Sequence, residues 1–259
     1  MKIHRTSHPG LALAAHDIVV DPARTTGPST AVLIHGLGSA GMASFSCLLP
    51  FLMGATDRIL IVDLPGHGLS DRPVDFSYSM EAQAAILGEL LDEVRITGTL
   101  LVGHSMGGAI AIRIAHTRPD LVSRLVVAEG NLDPDPGFVS GPITATDEDT
   151  FVRAGWHALA GQIEENGYAE YAATFRIASP IALHRCATSL TADRVPTFRQ
   201  QLENAPVPRV FVFGDRTLPD PDADRLPSAG IDVRIVRNAG HDMMNDNPAV
   251  FAEILTADP

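Results

Sequence analysis

The stretch Leu100–Asp120, LLVGHSMGGAIAIRIAHTRPD, opens as a strand and closes as a helix, with a serine between glycines where the pattern changes. The window satisfies G-x-S-x-G as Gly103, Ser105 and Gly107. A sharp strand-to-helix turn holds such a serine in a strained conformation with its hydroxyl exposed, and small flanking residues let the backbone bend without clashes. The helix that follows directs its positive end toward an oxyanion forming beside the serine. Glycine and serine also gather in ordinary turns, so the bare pattern leaves two readings open, a nucleophile or a tight-turn residue.

The same strand-and-helix rhythm runs through the rest of the chain. AVLIHG, ILIVDLPG, TLLVGHS, RLVVAEG, PRVFVFGD and IDVRIVRNAG are short apolar, β-branched runs. Their continuous rather than alternating apolar character predicts strands buried on both faces of a mostly parallel sheet. Between two of them, Ala84, Leu87, Leu91 and Val94 fall on one helical face, which completes a βαβ unit and points to a doubly wound α/β fold. The rhythm breaks after RLVVAEG, at the proline- and glycine-punctuated NLDPDPGFVSGP, and resumes at APVPRVFVFG. Helix-compatible pieces fill the interval from about Asp147 to Gln201. The expected organisation is a core of residues 1–132 and 207–259 with a helical cap, 133–206, laid over the strand ends where open α/β sheets hold ligands.

Composition narrows the partners. The chain has 259 residues, 45% of them hydrophobic, which suits one α/β unit with a core on both sheet faces. With 19 Lys and Arg against 31 Asp and Glu, the net charge of -12 repels nucleic-acid phosphates and anionic membranes, so neither partner is expected. The opening MKIHRTSHPG lacks an apolar signal segment, and no stretch approaches the roughly 18 uninterrupted apolar residues of a membrane span, so a cytoplasmic protein is expected. Cys47 and Cys186 offer neither a disulfide framework nor a CxxC pair and read as buried thiols.

Two elements bear on the serine. VLIHGLGSA places His35, Gly36, Leu37 and Gly38 at the end of an earlier strand. A nucleophile of this kind needs two amide donors aimed at one oxygen, and Leu37 N–H with Met106 N–H form the natural pair. His35 is expected to hold the loop. Further on, VRNAGHDMMNDNPAVFAEIL puts His241 in a loop between the last strand and a terminal helix, where a histidine reaches a serine at the mouth of the sheet and serves as general base, then general acid.

Taken in order, HGLGS, DLPGHGLSDRP, VGHSMGG and NAGHD resemble the α/β-hydrolase superfamily over nearly the whole chain, with the insert as the variable part. The resemblance implies an oxyanion loop, a loop-shaping DLPGHG piece in which Asp63, Gly66, His67 and Gly68 are structural, a nucleophile elbow at Ser105 and a catalytic His241. The usual acid of the family falls three residues beyond the glycine of the next-to-last core strand. Here that position is Thr217, which carries no charge, with Asp215 and Asp220 nearby. In some branches, certain haloalkane dehalogenases and zearalenone lactonase among them, the acid is a glutamate ending the preceding strand, and RLVVAEG places Glu129 there. A carboxylate closing an apolar strand is costly unless a polar or charged group meets it, and an imidazolium would do so. Glu129 is the favoured acid; Asp215, Asp220, or a dyad without acid remain open. Asp242 reads as solvated surface.

The function expected is cofactor-independent serine hydrolysis of an uncharged or weakly polar carboxylic ester or lactone through an acyl-enzyme. Carbon-carbon bond hydrolysis of a diketone-like substrate uses the same groups, and a ligand-binding receptor that keeps the hydrolase shell is the alternative of another class. No metal is expected: Asp220, Asp222 and Asp224 have the spacing that opens a calcium loop, but Arg225 stands at its glycine and Ile231 at its closing glutamate. His4, His8, His16, His116, His157 and His184 lack zinc spacing, and there is no nucleotide-binding glycine motif. Trp156, Tyr168, Tyr171, Phe175 and Phe198 either line a pocket or pack the insert.

Overall fold

All six apolar runs form strands, and two further strands precede them. In the computed structural model, which describes residues 1–20 and 30–257, the strands are β1 (Lys2–Arg5), β2 (Ala12–Val19), β3 (Thr30–Ile34), β4 (Arg58–Val62), β5 (Thr99–His104), β6 (Val122–Ala128), β7 (Arg209–Gly214) and β8 (Asp232–Val236). They make one eight-stranded sheet in the order β1-β2-β4-β3-β5-β6-β7-β8. β1 and β2 pair antiparallel, as do β2 and β4, and the remaining pairs are parallel. The unbroken apolar runs are explained by cover on both faces: Val32 and Ile34 of β3 face one core while Ala31 and Leu33 face the other.

The helices of seven or more residues are α1 (Met80–Glu93), α2 (Met106–Thr117), α3 (Trp156–Glu165), α4 (Ala169–Ile177), α5 (Pro180–Thr191), α6 (Phe198–Asn204) and α7 (Pro248–Thr256). Four of these starts are capped by a side chain, Asn247 on α7 among them. Ser79 caps α1 by accepting from Ala82 N–H, Ser179 caps α5 ahead of Pro180, and Thr197 with Gln200 forms a reciprocal capping box on α6. Ala84, Leu87 and Leu91 of the expected α1 face are buried, and Val94 sits just past the helix end, half-buried.

Between β6 and β7 the chain is helical: the short turn Ser140–Thr144 packs on α5, α3 packs on α4, and α6 packs on α2. Strand order reverses at β3, since β4 lies on one side of it and β5 on the other. The tips of β3 and β5 therefore open a crevice. There α2 approaches the sheet so closely that a Cβ on Gly107 would sit 2.3 Å from the Ile34 carbonyl oxygen, so only glycine fits. Cys47 corrects an expectation. It is exposed, because its short turn directs Leu48 inward and leaves the thiol outside, whereas Cys186 is buried with its thiol donating to Tyr78 O.

Candidate active site

Ser105 joins β5 to α2 with φ 54° and ψ -123°, a left-handed conformation that a non-glycine residue adopts only when its surroundings impose it. The neighbours that impose it are the Ala128 carbonyl, which accepts Ser105 N–H at 3.0 Å, and Gly108 N–H, which donates to Ser105 O at 2.8 Å. Ser105 lines a cavity of about 430 Å³ together with Leu37, Glu129 and His241. Met106 is buried as the first residue of α2, and among the described residues neither its amide nor that of Leu37 donates to a protein acceptor.

Glu129 lies one residue beyond β6 with φ 42°. Its Oε2 is 2.8 Å from His241 Nδ1. Because a carboxylate only accepts, Nδ1 carries the proton and Nε2 keeps a lone pair. Oε1 accepts from Gly214 N–H at 2.8 Å and from the Thr217 hydroxyl at 2.5 Å. Thr217, at the position where the resemblance would place the acid, thus donates to a carboxylate supplied from the end of the neighbouring strand. Burial pushes the Glu129 pKa upward, but the hydrogen bonds from His241, Thr217 and Gly214 outweigh it and hold the carboxyl below its ordinary range. Burial likewise presses His241 down, and the hydrogen bond and charge of Glu129, with Asp242, carry it above its ordinary value.

The loop bearing His241 is pinned at successive residues. Asp215 accepts from Asn238 N–H at 2.9 Å and Ala239 N–H at 3.1 Å, and Asp246 accepts from Gly240 N–H at 2.7 Å. The His241 carbonyl then accepts from His104 Nε2 at 3.0 Å. Asp215 is accordingly a loop anchor and does not touch the imidazole, while Asp220 accepts from Asp222 N–H in its own turn. His104, buried with its pKa driven well below the ordinary value by desolvation and by His241, stays neutral. His35 accepts from Leu64 N–H at 3.0 Å and His67 donates to Pro65 O at 3.0 Å, both as loop supports. Asp63 bridges Gly41 N–H and Leu69 N–H.

Three placements extend the sequence reading. Asp242 lines the cavity, because the turn after Gly240 brings two consecutive side chains to its wall. Of the five aromatic residues singled out in sequence, Tyr168 and Tyr171 line the cavity, whereas Phe175 and Phe198 are packed in the core and Trp156 donates its indole N–H to Phe175 O at 3.1 Å. Finally, Ser105 and His241 share the cavity without a hydrogen bond between Oγ and Nε2 among the described residues. Phe138, Val139, Ile163 and Leu190 supply apolar wall that no periodicity singled out. Among the described residues, no helix is long and apolar enough to cross a membrane, and no group of three or more His, Cys, Asp or Glu side chains is arranged to hold a metal.

The model of the Alpha/beta hydrolase family matches residues 31–254. This chain belongs to the α/β-hydrolase family. Over 250 residues this α/β-hydrolase is 31% identical to the sn-1-specific diacylglycerol lipase ABHD11 of Mus musculus, covering 87% of this chain and 79% of that protein. It is 37% identical to the 2-hydroxy-6-oxononadienedioate/2-hydroxy-6-oxononatrienedioate hydrolase of Cupriavidus pinatubonensis over 106 residues, 40% of this chain and 37% of that one. In fold it is similar to the enol-lactonase from Burkholderia xenovorans LB400, with a TM-score of 0.79 at 19% identity, covering 98% of each chain. The esterase from Exiguobacterium antarcticum gives a TM-score of 0.77 at 21% identity, over 98% of this chain and 97% of that one.

Proposed function

We propose that this α/β-hydrolase cleaves small or medium carboxylic esters or lactones through an acyl-enzyme on Ser105. The observation that carries the reading is the His241 Nδ1 to Glu129 Oε2 hydrogen bond of 2.8 Å beside a positive-φ serine in one cavity. A side-chain rotation brings Oγ to Nε2. As Oγ attacks the acyl carbonyl, Nε2 takes its proton, and Glu129 stabilises the imidazolium. The amides of Leu37 and Met106 hold the oxyanion. Collapse expels the alcohol, which leaves with the proton from Nε2; water activated by the same nitrogen then releases the acid and restores the serine. No cofactor enters these steps. The insert serves as a cap whose Tyr168, Tyr171 and Ile163 shape the acyl site.

A fluorophosphonate probe tests this directly, since an elbow serine with a histidine base is far more nucleophilic than a surface hydroxyl. Labelling is expected at Ser105 and absent in Ser105→Ala, with ester turnover lost in parallel. Labelling that persists in a folded Ser105→Ala protein refutes the assignment, and steady turnover by the wild type separates an enzyme from a receptor. Carbon-carbon hydrolysis of a diketone-like substrate is the second reading, favoured by the local likeness to the oxononadienedioate hydrolases. Parallel assays with esters, lactones and diketones decide between them.

A further inference from the structure

The cavity beside Ser105 has a one-sided charge. Its described lining includes no lysine or arginine and two carboxylates, Glu129 and Asp242. Glu129 is fully engaged: His241 takes Oε2, while Gly214 and Thr217 take Oε1. Asp242 is not. Among the described residues its carboxylate accepts no hydrogen bond; it approaches His104 Nε2 at 3.9 Å, a neutral ring whose proton is committed to the His241 carbonyl, and it interacts with the His241 charge without a hydrogen bond to it. Its side chain is about half exposed, at 51%, on the wall of the cavity.

The surroundings reinforce that sign. A second cavity of about 270 Å³ shares Glu129, Asn131 and His241 with the first and adds Asp133, Asp135, Asp220 and Asp222. Arg199 pairs with Asp133 and Asp222, leaving that wall with more carboxylates than cations. A substrate carboxylate entering beside Ser105 would give up hydration, meet a like charge and find no counter-ion, whereas an uncharged acyl chain meets Phe138, Val139, Ile163 and Leu190.

We propose that Asp242 is a specificity-determining charge filter, which restricts this site to substrates that are uncharged near the scissile carbonyl and turns away those carrying a carboxylate there. The inference rests on the hydrolase reading above and extends it. It places dianionic dioates, the class in the name of the carbon-carbon hydrolase relative, outside the substrates of this chain.

The test compares 4-nitrophenyl butyrate with 4-nitrophenyl hydrogen glutarate, which have similar chains and differ by one carboxylate, at about pH 8, where exposed carboxylates are ionised. Wild type is expected to favour the neutral ester in kcat/KM, and Asp242→Asn to narrow that preference about tenfold, the order of effect of removing one like charge from the wall of a partly solvated site. The ratio is the readout, because any effect of Asp242 on His241 acts on both esters and cancels. Should the variant fail to fold, rising ionic strength applied to wild type must raise kcat/KM for the anionic ester relative to the neutral one. Equal use of the two esters by wild type, or a ratio unmoved by Asp242→Asn or by salt, overturns the filter while the hydrolase stands. Hydrolysis of neither ester by folded wild type overturns the ester-hydrolase reading on which the filter rests, and the filter with it.

Discussion

Glu129 carries the largest single-residue expectation. Glu129→Gln keeps its shape but removes the charge facing the imidazolium, so kcat is expected to fall by up to about 10⁴-fold, as for the aspartate of the serine-protease triad. The pH profile gives the independent check. In the proposed mechanism turnover needs neutral His241, whose pKa lies above its ordinary value in the folded protein, so activity is expected to rise with pH through that raised value. In Glu129→Gln the rise moves toward acid. Stability follows the opposite sign: the His241 contribution is full below its unfolded pKa and lost as pH rises through the folded one. A limb that stays in place in the glutamine variant sinks the pairing. Asp215→Asn, by contrast, weakens two backbone contacts to the His241 loop and is expected to lower thermal stability with a smaller loss of rate. The turn at Ser105 and the loop at His241 were legible because turn chemistry surrounds them, and the contact of Glu129 with His241 because the resemblance pointed to that position and an acid ending an apolar strand asks for a partner. Asp242 was not, since the direction of a side chain after a turn is decided by contacts that no local pattern encodes.

At the scale of elements, α4 meets the loop after β3. The Tyr171 hydroxyl donates to Leu37 O at 2.7 Å, and Gly38, at φ +71°, has no room for a Cβ, which would lie 2.5 Å from the Phe175 ring. The insert therefore fixes the peptide that follows the Leu37 amide. Tyr171→Phe keeps the ring packing and frees that carbonyl, so kcat is expected to drop about tenfold with KM for short acyl esters little changed, less than the 10²-fold or greater cost of deleting an oxyanion donor outright. Steady-state kinetics alongside a melting curve test it: a rise in KM with kcat intact would make Tyr171 a simple pocket wall. The helices of the insert and the parallel strands were readable from period and punctuation, but their docking was not. Trp156, which in sequence reads equally as a pocket or a packing residue, donates to the backbone of α4, a long-range contact with no local signature.

At the scale of the whole molecule, β1 and β2 extend the sheet past β4 and escaped the sequence reading. β1, KIHR, is mostly polar and exposed, and ALAAHDIV of β2 is rich in alanine, which has little strand preference. What ties this edge down is electrostatic. Asp17 of β2, with 2% of its side chain exposed, accepts from Arg58 of β4 at 2.7 and 3.0 Å and pairs with Lys2 of β1 at 2.6 Å, so one carboxylate joins three neighbouring strands. The Arg58 hydrogen bond, against the opposing effect of burial and with help from Lys2, lowers its pKa from 3.8 to about 2. Because the folded value is depressed, the stabilisation is fully present above the unfolded pKa and disappears as pH falls through about 2. Asp17→Asn is expected to cost about 1–2 kcal/mol near neutral pH. For a chain of this size that is a fall in melting temperature of roughly 2–8 °C. The gap between variant and wild type should close as the pH drops below about 4 toward 2, while ester turnover at neutral pH stays near wild type, since this edge lies on the far side of β4 from the Ser105 crevice. Melting curves of both proteins from acid to neutral pH decide the matter. A gap that persists unchanged through the acid range would mean that Asp17 contributes through packing of its side chain and not through its charge.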